Sequence, residues 1–458
     1  MDKIVVKFGG SNFKNKDDIT KLIKIIEAYN QPIIIVVSAF YGITDFLISA
    51  IDQVSKRVLD ADAVLERLNK TSIDVINTLT EDNNIREELY LRVNERIKEL
   101  KKYLLGIHYL EEIPDFVYDS ILSYGERISS MVFSLILKKS GFPAEEKLPE
   151  QTGLYTDGEF GNATVNFKKS APLVKKNLNY EKIYVIPGFY GISESGKVTL
   201  LGRGGSDYSA SAIAYCIDAK YLDVWKDVKG FMSGDPKIVD NPIPISRLTY
   251  QEAAELSYFG AKILHQRTVE PVMFKKIPIR VMDITNFRGV IEPVTIIEES
   301  RFVKEEVVKS ITYTKDIGII QLMGPSVGIK PGILSKVTST LNKSKVNIKS
   351  IITSQTCINI LFSKSDLYTA YKILKALDIH AVDEIIVLDD ICLIAAVGEG
   401  MLEVPGVASR IFSAVAKEKI NVLVISTGAS SVAIYFVINE KDCERAIAAV
   451  HKEFFNSV

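Results

Sequence analysis

The run Pro-Ile-Ile-Ile-Val-Val-Ser at residues 32–38 constrains this chain more than any other segment. It is continuously apolar and β-branched, so both faces of the strand must be buried. That is the situation of a strand inside a parallel sheet covered by helices. Lys3 to Phe8, Ile183 to Pro187 and Tyr221 to Val224 are runs of the same kind, and Asp17 to Tyr29 between the first two reads as a helix with acids in its first turn. The chain therefore opens as a βαβ unit, and the fold class is α/β, a mainly parallel sheet sandwiched by helices. A helical insertion spans about residues 44–105. In the helical stretch Asp82 to Leu104 that closes it, Ile85, Leu89, Val93, Ile97, Leu100 and Leu104 recur at three- and four-residue spacing, the stripe of a packing helix.

At 458 residues the chain suits two or three domains. A charge-rich stretch, residues 298–306, marks a boundary, and a different pattern follows it. Strands at 318–323, 346–353, 357–363 and 381–388 with helices at 331–343 and 365–377 make one ferredoxin-like βαββαβ unit. A second begins with strand 391–397 and continues through helix 405–419, strands 421–426 and 432–437, and a helix from Glu440 to about Phe454, one strand short. Lys330-Pro331-Gly332 with Asn347-Ile348 recurs as Val404-Pro405-Gly406 with Asn421-Val422, an internal repeat. The strand Val307 to Thr314 supplies the missing member, so the first unit is inserted in the second. The expected division is 1–302, then 316–390 inside a unit made of 303–315 and 391–458.

Lys and Arg number 56 against 57 Asp and Glu, a formal charge of −1, so nothing general favours nucleic acid or an anionic membrane. Any anion must be held by a local arrangement. The longest apolar stretches, 32–40 and 391–397, fall far short of the roughly 20 residues of a membrane span. Met1-Asp2-Lys3 followed by a strand is not a signal peptide. Cys216, Cys357, Cys392 and Cys443 form no CxxC pair, which argues against structural zinc and against disulfides and for a reducing cytoplasm. His108, His265, His380 and His451 are equally dispersed, so a histidine metal site or triad is not expected.

Several segments carry chemistry. Lys7-Phe8-Gly9-Gly10-Ser11 ends a buried strand with a cation and two glycines before a helix, an arrangement that cradles phosphate or, equally, forms a tight turn with a solvated lysine. Gly202-Arg203-Gly204-Gly205-Ser206-Asp207 is more specific. Three glycines in four positions precede a helix of small residues, and Arg203 offers a fork for a carboxylate. Lys226-Asp227 followed by Met232 and Gly234-Asp235-Pro236-Lys237 can cradle a nucleotide or be ordinary turns. Lys262-Ile263, near a helix end, reads alone as a solvated lysine and its neighbour, and Glu126 as the opening residue of a helix, where a carboxylate caps or meets the dipole.

Taken together, KFGGS at residue 7, VVSAFYGIT at 36, SYGERISS at 123, GFYG at 188, GRGGSDYSA at 202, GDP at 234 and GAKILH at 260 resemble the amino-acid kinase family, and within it the branch that acts on aspartate. The C-terminal units resemble two ACT domains, and the chain ends after them, as in forms without a fused homoserine dehydrogenase. The resemblance implies ATP-dependent phosphorylation of the L-aspartate β-carboxylate, with Mg²⁺ held mainly by phosphates and water and no protein metal site. It places Lys7 and Asp207 in catalysis and Ser38, Thr44, Glu126, Arg203, Gly204, Gly205 and Ser206 on the amino-acid substrate. Lys7, Gly9, Gly10, Lys226, Asp227, Met232, Lys237, Lys262 and Ile263 fall to the nucleotide. It also implies feedback by an amino acid, lysine before threonine, at Val327, Lys330, Ile333, Leu334, Asn347, Ile348, Lys349, Ser354 and Gln355, and a homodimer or dimer of dimers through the ACT units. The chain departs from the family's habit at Ser11-Asn12 (usually Thr-Ser), Lys226 (Thr), Met232 (Tyr), Lys237 (Arg) and Lys349 (Asp in lysine-sensitive relatives). A sibling kinase for glutamate, acetylglutamate or carbamate, and a non-catalytic amino-acid sensor, are the competing readings.

Overall fold

The structure, a computed structural model, describes residues 3–178, 181–261, 263–300 and 307–455. The chain clusters into two compact units, one of residues 1–231, 244–257 and 262–302, the other of 232–243, 258–261 and 303–458. Two short stretches that precede residue 302 thus keep company with the C-terminal third.

The first unit runs β1 (Ile4–Phe8), α1 (Lys16–Tyr29), β2 (Ile34–Val37), α2 (Ile43–Ser55), α3 (Ala61–Leu79), α4 (Asn83–Leu110), α5 (Asp115–Lys139), β3 (Ala144–Glu146), α6 (Pro149–Thr152), α7 (Phe167–Asn177), β4 (Ile183–Pro187), β5 (Tyr190–Ile192), β6 (Val198–Leu200), α8 (Gly205–Ile217), β7 (Tyr221–Lys226), β8 (Arg247–Thr249), α9 (Tyr250–Tyr258), α10 (Gln266–Phe274), β9 (Ile279–Asp283) and β10 (Thr295–Glu298). Its main sheet has the order β3-β4-β2-β1-β7-β9-β10-β8, and every described pairing in it is parallel except β9 with β10. β1 and β2 are buried along their whole length, as a doubly covered strand requires. The insertion is the helical group α2 to α4. Asp82 caps α4 by accepting from the amides of Asn84 and Ile85, and Leu89, Val93, Leu100 and Leu104 are fully buried on its inner face.

On β7, Asp223 is fully buried and accepts Nε and Nη2 of Arg280 at 2.7 and 2.6 Å and the Tyr29 hydroxyl at 2.6 Å, while Trp225 Nε1 donates to that hydroxyl at 3.1 Å. This knot ties β7 to β9 and α1. Burial pushes the Asp223 carboxyl up, against the pull of Arg280.

The second unit contains β11 (Ser310–Thr314), β12 (Gly318–Met323), α11 (Ile333–Lys343), β13 (Ser350–Thr353), β14 (Cys357–Phe362), α12 (Lys364–Lys375), β15 (Glu384–Leu388), β16 (Ile391–Val397), α13 (Val407–Lys417), β17 (Val424–Ser426), β18 (Ala433–Asn439) and α14 (Cys443–Phe455). Two antiparallel sheets result, β13-β14-β12-β15 and β11-β16-β18-β17. β11 pairs with β16, Ser310 opposite Val397, so a strand from upstream of the first sheet lies in the second. β13 starts at Ser350 rather than Val346, because Val346 turns inward to the apolar cluster under α11.

Two expectations need correction here. Cys392 on β16 and Cys443 on α14 are joined as a disulfide across 51 residues, a pairing the spacing did not signal because the fold alone brings strand and helix together. Glu126 does not open a helix. It lies midway along α5, where every backbone amide has its own partner, so a capping role is impossible there.

Candidate active site

Lys7, only 4% exposed, is the penultimate residue of β1, and its ammonium is paired with Asp207 Oδ1. Asp207 sits in the first turn of α8, 7% exposed, and its other oxygen accepts Lys226 Nζ at 3.2 Å. Burial alone would raise the Asp207 carboxyl, but the two ammonium groups hold it well below the ordinary carboxylate range. Burial lowers Lys7; Asp207 opposes that shift and Lys226 adds to it. One carboxylate thus faces two buried or half-buried cations, a surplus of positive charge at a helix N-terminus.

Glycines allow the backbone to close around this pair. A Cβ on Gly10 would stand 2.3 Å from the Ala39 carbonyl oxygen, so only glycine lets the turn after β1 meet the loop after β2. Gly204 has φ +72, and a Cβ there would lie 2.3 Å from the His265 ring. Gly205 then starts α8, with Ser206 beside Asp207.

Glu126 enters from α5, 4% exposed. Burial pushes its carboxyl up to about 8, although the backbone of Ala39, the charge of Lys7 and the Ser206 side chain all favour the ionised form. Among the described residues its Oε2 has no hydrogen-bond partner. A buried acid with one oxygen unused, beside a lysine, suits a cationic group of a ligand. Ser38 closes the same loop: its amide donates to Phe8 O at 3.3 Å and its carbonyl accepts Ser129 Oγ at 2.8 Å. Thr44 Oγ1 lies 3.8 Å from where a Cβ on Gly125 would be, beside the Glu126 turn of α5.

Lys7, Gly9, Gly10, Ser38, Thr44, Glu126, Gly204, Gly205, Ser206, Asp207 and Lys226 are therefore gathered around one sheet end. Arg203 is exposed on the loop before α8, Asp227 is exposed just after β7, and Ile263 is half-buried. Lys262 lies outside the described residues. Met232 and Lys237 belong to the second unit, where Met232 O accepts Ser310 Oγ at 2.8 Å and Lys237 is exposed.

Three residues that shape the site have no role assigned to them by the motifs, although Asn12 closely follows the first glycine pair and His265 ends the segment GAKILH. Asn12, 2% exposed, accepts the Gly9 amide at 2.9 Å and so fixes the double-glycine turn. His265 packs on Gly204 and caps α10. Arg267 binds the carbonyls of Leu201 and Ala163 at 2.6 and 2.8 Å and lies over the Tyr208 ring at 4.4 Å, pinning the glycine loop.

In the second unit, Gly328 N donates to Gln355 O at 3.0 Å, so the loop bearing Val327 and Lys330 closes on the turn of Ser354 and Gln355. Val327 and Ile333 are buried, Leu334 and Asn347 are exposed, and Ile348 packs against the core of the first sheet. Lys349 is turned elsewhere: its ammonium stands 5.1 Å from the Tyr258 ring centroid and its carbonyl accepts the Tyr258 hydroxyl at 2.9 Å.

Residues 2–283 match the Amino acid kinase family and residues 394–454 the ACT domain. The chain is 29% identical over 464 residues to the bifunctional aspartokinase/homoserine dehydrogenase of Buchnera aphidicola, covering 98% of this chain but 56% of that protein, so it spans little more than half of that relative. It is 29% identical over 471 residues to the chloroplastic aspartokinase 1 of Arabidopsis thaliana, covering 99% of this chain and 80% of that one. The Clostridium acetobutylicum aspartate kinase structure superposes with a TM-score of 0.79 at 26% identity over 98% of this chain and all of that one. Escherichia coli aspartokinase III, solved with aspartate and ADP, shares the fold at a TM-score of 0.82 and 24% identity over 99% of this chain and 100% of that one. With well over half its length matched by one family, and a glycine-lined lysine–aspartate pair at the heart of that half, the chain belongs to the amino acid kinase family.

Proposed function

We propose that this kinase transfers the γ-phosphoryl group of MgATP to the β-carboxylate of L-aspartate, giving 4-phospho-L-aspartate, the step that opens lysine, threonine and methionine biosynthesis. The observation that carries the reading is the buried Lys7–Asp207 pair beside Glu126, whose free oxygen awaits a cation. An amino-acid substrate has what these groups ask for: an ammonium for Glu126, a carboxylate for Arg203, and a second carboxylate to be phosphorylated. The kinship with aspartokinases supports aspartate over glutamate.

A carboxylate is a competent nucleophile at neutral pH, so the reaction needs no general base. Catalysis is positioning plus neutralisation of charge on the transferring group. Lys7 meets that charge, Gly9 and Gly10 let the phosphates approach, and Asp207 orients Lys7. Ser38, Thr44, Gly204, Gly205 and Ser206 hold the amino acid, while Asp227, Met232, Lys237, Lys262 and Ile263 serve the nucleotide. Among the described residues no three His, Cys, Asp or Glu side chains cluster as a metal cage. We assign the Mg²⁺ to the substrate MgATP, held by phosphates and water.

We assign to the ACT units a regulatory role, with lysine as first-choice effector and threonine second, and assembly as a homodimer or a dimer of dimers. Purified protein incubated with ATP, Mg²⁺ and single amino acids, with hydroxylamine as trap, tests the activity. An aspartyl hydroxamate that needs all three components is expected. A signal with glutamate or acetylglutamate and none with aspartate would assign a sibling reaction, and none with any acceptor would leave only the sensing role.

A further inference from the structure

Lys7 on β1 stands opposite Val224 in the parallel register with β7. Residues two apart on a strand share a face, so Lys226, two beyond Val224, projects on the same side of the sheet as Lys7. Between them lies Asp207, one oxygen on each ammonium. Two cations share one anion, and the trio keeps a net positive charge. Had Asp207 only Lys7 as partner, the pair would be neutral, and the lysine that must face the transferring phosphoryl group would be spent on its own counter-ion. A hydroxyl residue at position 226 would leave that neutral pair.

We propose that Lys226 is a positioning residue for phosphoryl transfer: by holding Asp207 Oδ2 it divides the carboxylate between two ammoniums, fixes its orientation and leaves Lys7 with charge for the transition state. The role rests on the kinase reading above and assigns Lys226 to the reacting end of the nucleotide rather than to its base. Among the charged groups that face Lys7, Asp207 from α8 and Glu126 from α5 raise its proton affinity and Lys226 from β7 lowers it, so removing Lys226 gives the test a second readout.

The experiment compares wild type, Lys226→Met and Lys226→Arg in the full chain. For Met, kcat is expected to fall about 10-fold or more, with KM for aspartate within about 2-fold, as for an interaction made in the transition state alone. The alkaline limb of the kcat profile should move to higher pH in Met, because Lys7 loses its like-charged neighbour, and Arg should restore most of kcat. Lysine Cε resonances in ¹³C-labelled protein, with Lys7 identified by its loss in Lys7→Arg, report the same shift without turnover. If aspartate proves not to be the acceptor, that NMR titration still decides the matter. The proposal is overturned if Lys7 titrates alike in wild type and Met, if kcat changes by less than about 2-fold, or if KM for ATP alone rises.

Discussion

Glu126 and Lys7 are both buried, and burial pushes each toward its neutral form: the acid gains proton affinity and the base loses it. For Glu126 the sign of the consequence can be worked out. The folded protein keeps this proton until about pH 8, while the unfolded chain releases it near 4.5, so between those values the native state binds more protons and stability falls as pH rises. Glu126→Gln removes that slope, and its melting temperature should gain on wild type progressively from about pH 5 to about pH 8. The same ionisation creates the partner for the substrate ammonium, so KM for aspartate in wild type should drop as pH approaches 8, and Gln should abolish the dependence. A constant melting difference across the range would mean that Glu126 is already ionised. For the second pair of roles, Lys7→Ala is expected to lower kcat by about 10²-fold or more, while Arg203→Ala raises KM for aspartate more than that for ATP. Equal small effects in steady-state kinetics would remove both roles. At this scale the motifs named the gathered residues because glycine, lysine and aspartate are few and punctuated. Arg267 escaped because a residue that pins a loop from across the fold leaves no local pattern, whereas Asn12 and His265 stand at or beside the ends of motifs whose glycines and lysines alone pointed to chemistry.

The turns and strands that hold these residues make separate predictions. Gly9 and Gly10 look alike in sequence but differ in space. A Cβ on Gly9 meets nothing nearer than 3.7 Å, while one on Gly10 collides with Ala39 O. Gly10→Ala should displace the turn and cost about 10²-fold in kcat, and Gly9→Ala should be far milder; equal losses would show that backbone freedom, not the Ala39 approach, matters. On β7 the fully buried Asp223 holds the partly buried Arg280, and Asp223→Ala leaves the guanidinium without that partner, so urea unfolding should show a loss of about 3 kcal/mol. The βαβ rhythm was readable because strands buried on both faces have no polar alternation, and the α4 stripe because its spacing is helical. Glu126 was misplaced because the Ser and Gly of Ser123-Tyr124-Gly125 resemble a helix start. Within α5 they are packing devices, since a Cβ on Gly125 would sit 2.9 Å from the Ala39 side chain. Cys392 and Cys443 meet only because α14 packs on β16, a contact no spacing encodes.

In the whole molecule, the two units are not cleanly sequential along the chain. Residues 258–261 leave the end of α9 and join the second unit, where Phe259 lies 4.9 Å, ring to ring, from Tyr435, and Tyr258 meets Lys349. These contacts surround a cavity of about 20 Å³ lined also by Ser350 and Leu361, room for about one water and not for an amino acid. This cavity is too small for an effector, and the loop of Val327 and Lys330 closed against Ser354 and Gln355 is the proposed place. Lys349 bears on the choice of effector. A cation in that loop's pocket would repel a lysine side chain, but the Lys349 ammonium stands over the Tyr258 ring while its neighbour Ile348 packs against the core of the first sheet. Lysine is thus expected to inhibit at sub-saturating aspartate and threonine to act more weakly, with the coupling of about 1–3 kcal/mol, or 5–150-fold in affinity, usual between two sites. An effector acts only by preferring one of two conformations, so lysine should also raise the melting temperature, and aspartate should weaken lysine binding by the factor that lysine weakens aspartate binding. Calorimetric titration of lysine with and without aspartate measures that reciprocity directly. Inhibition by threonine alone would show that the cation at 349 governs the pocket after all, and no response to either amino acid would remove the sensing role from these units.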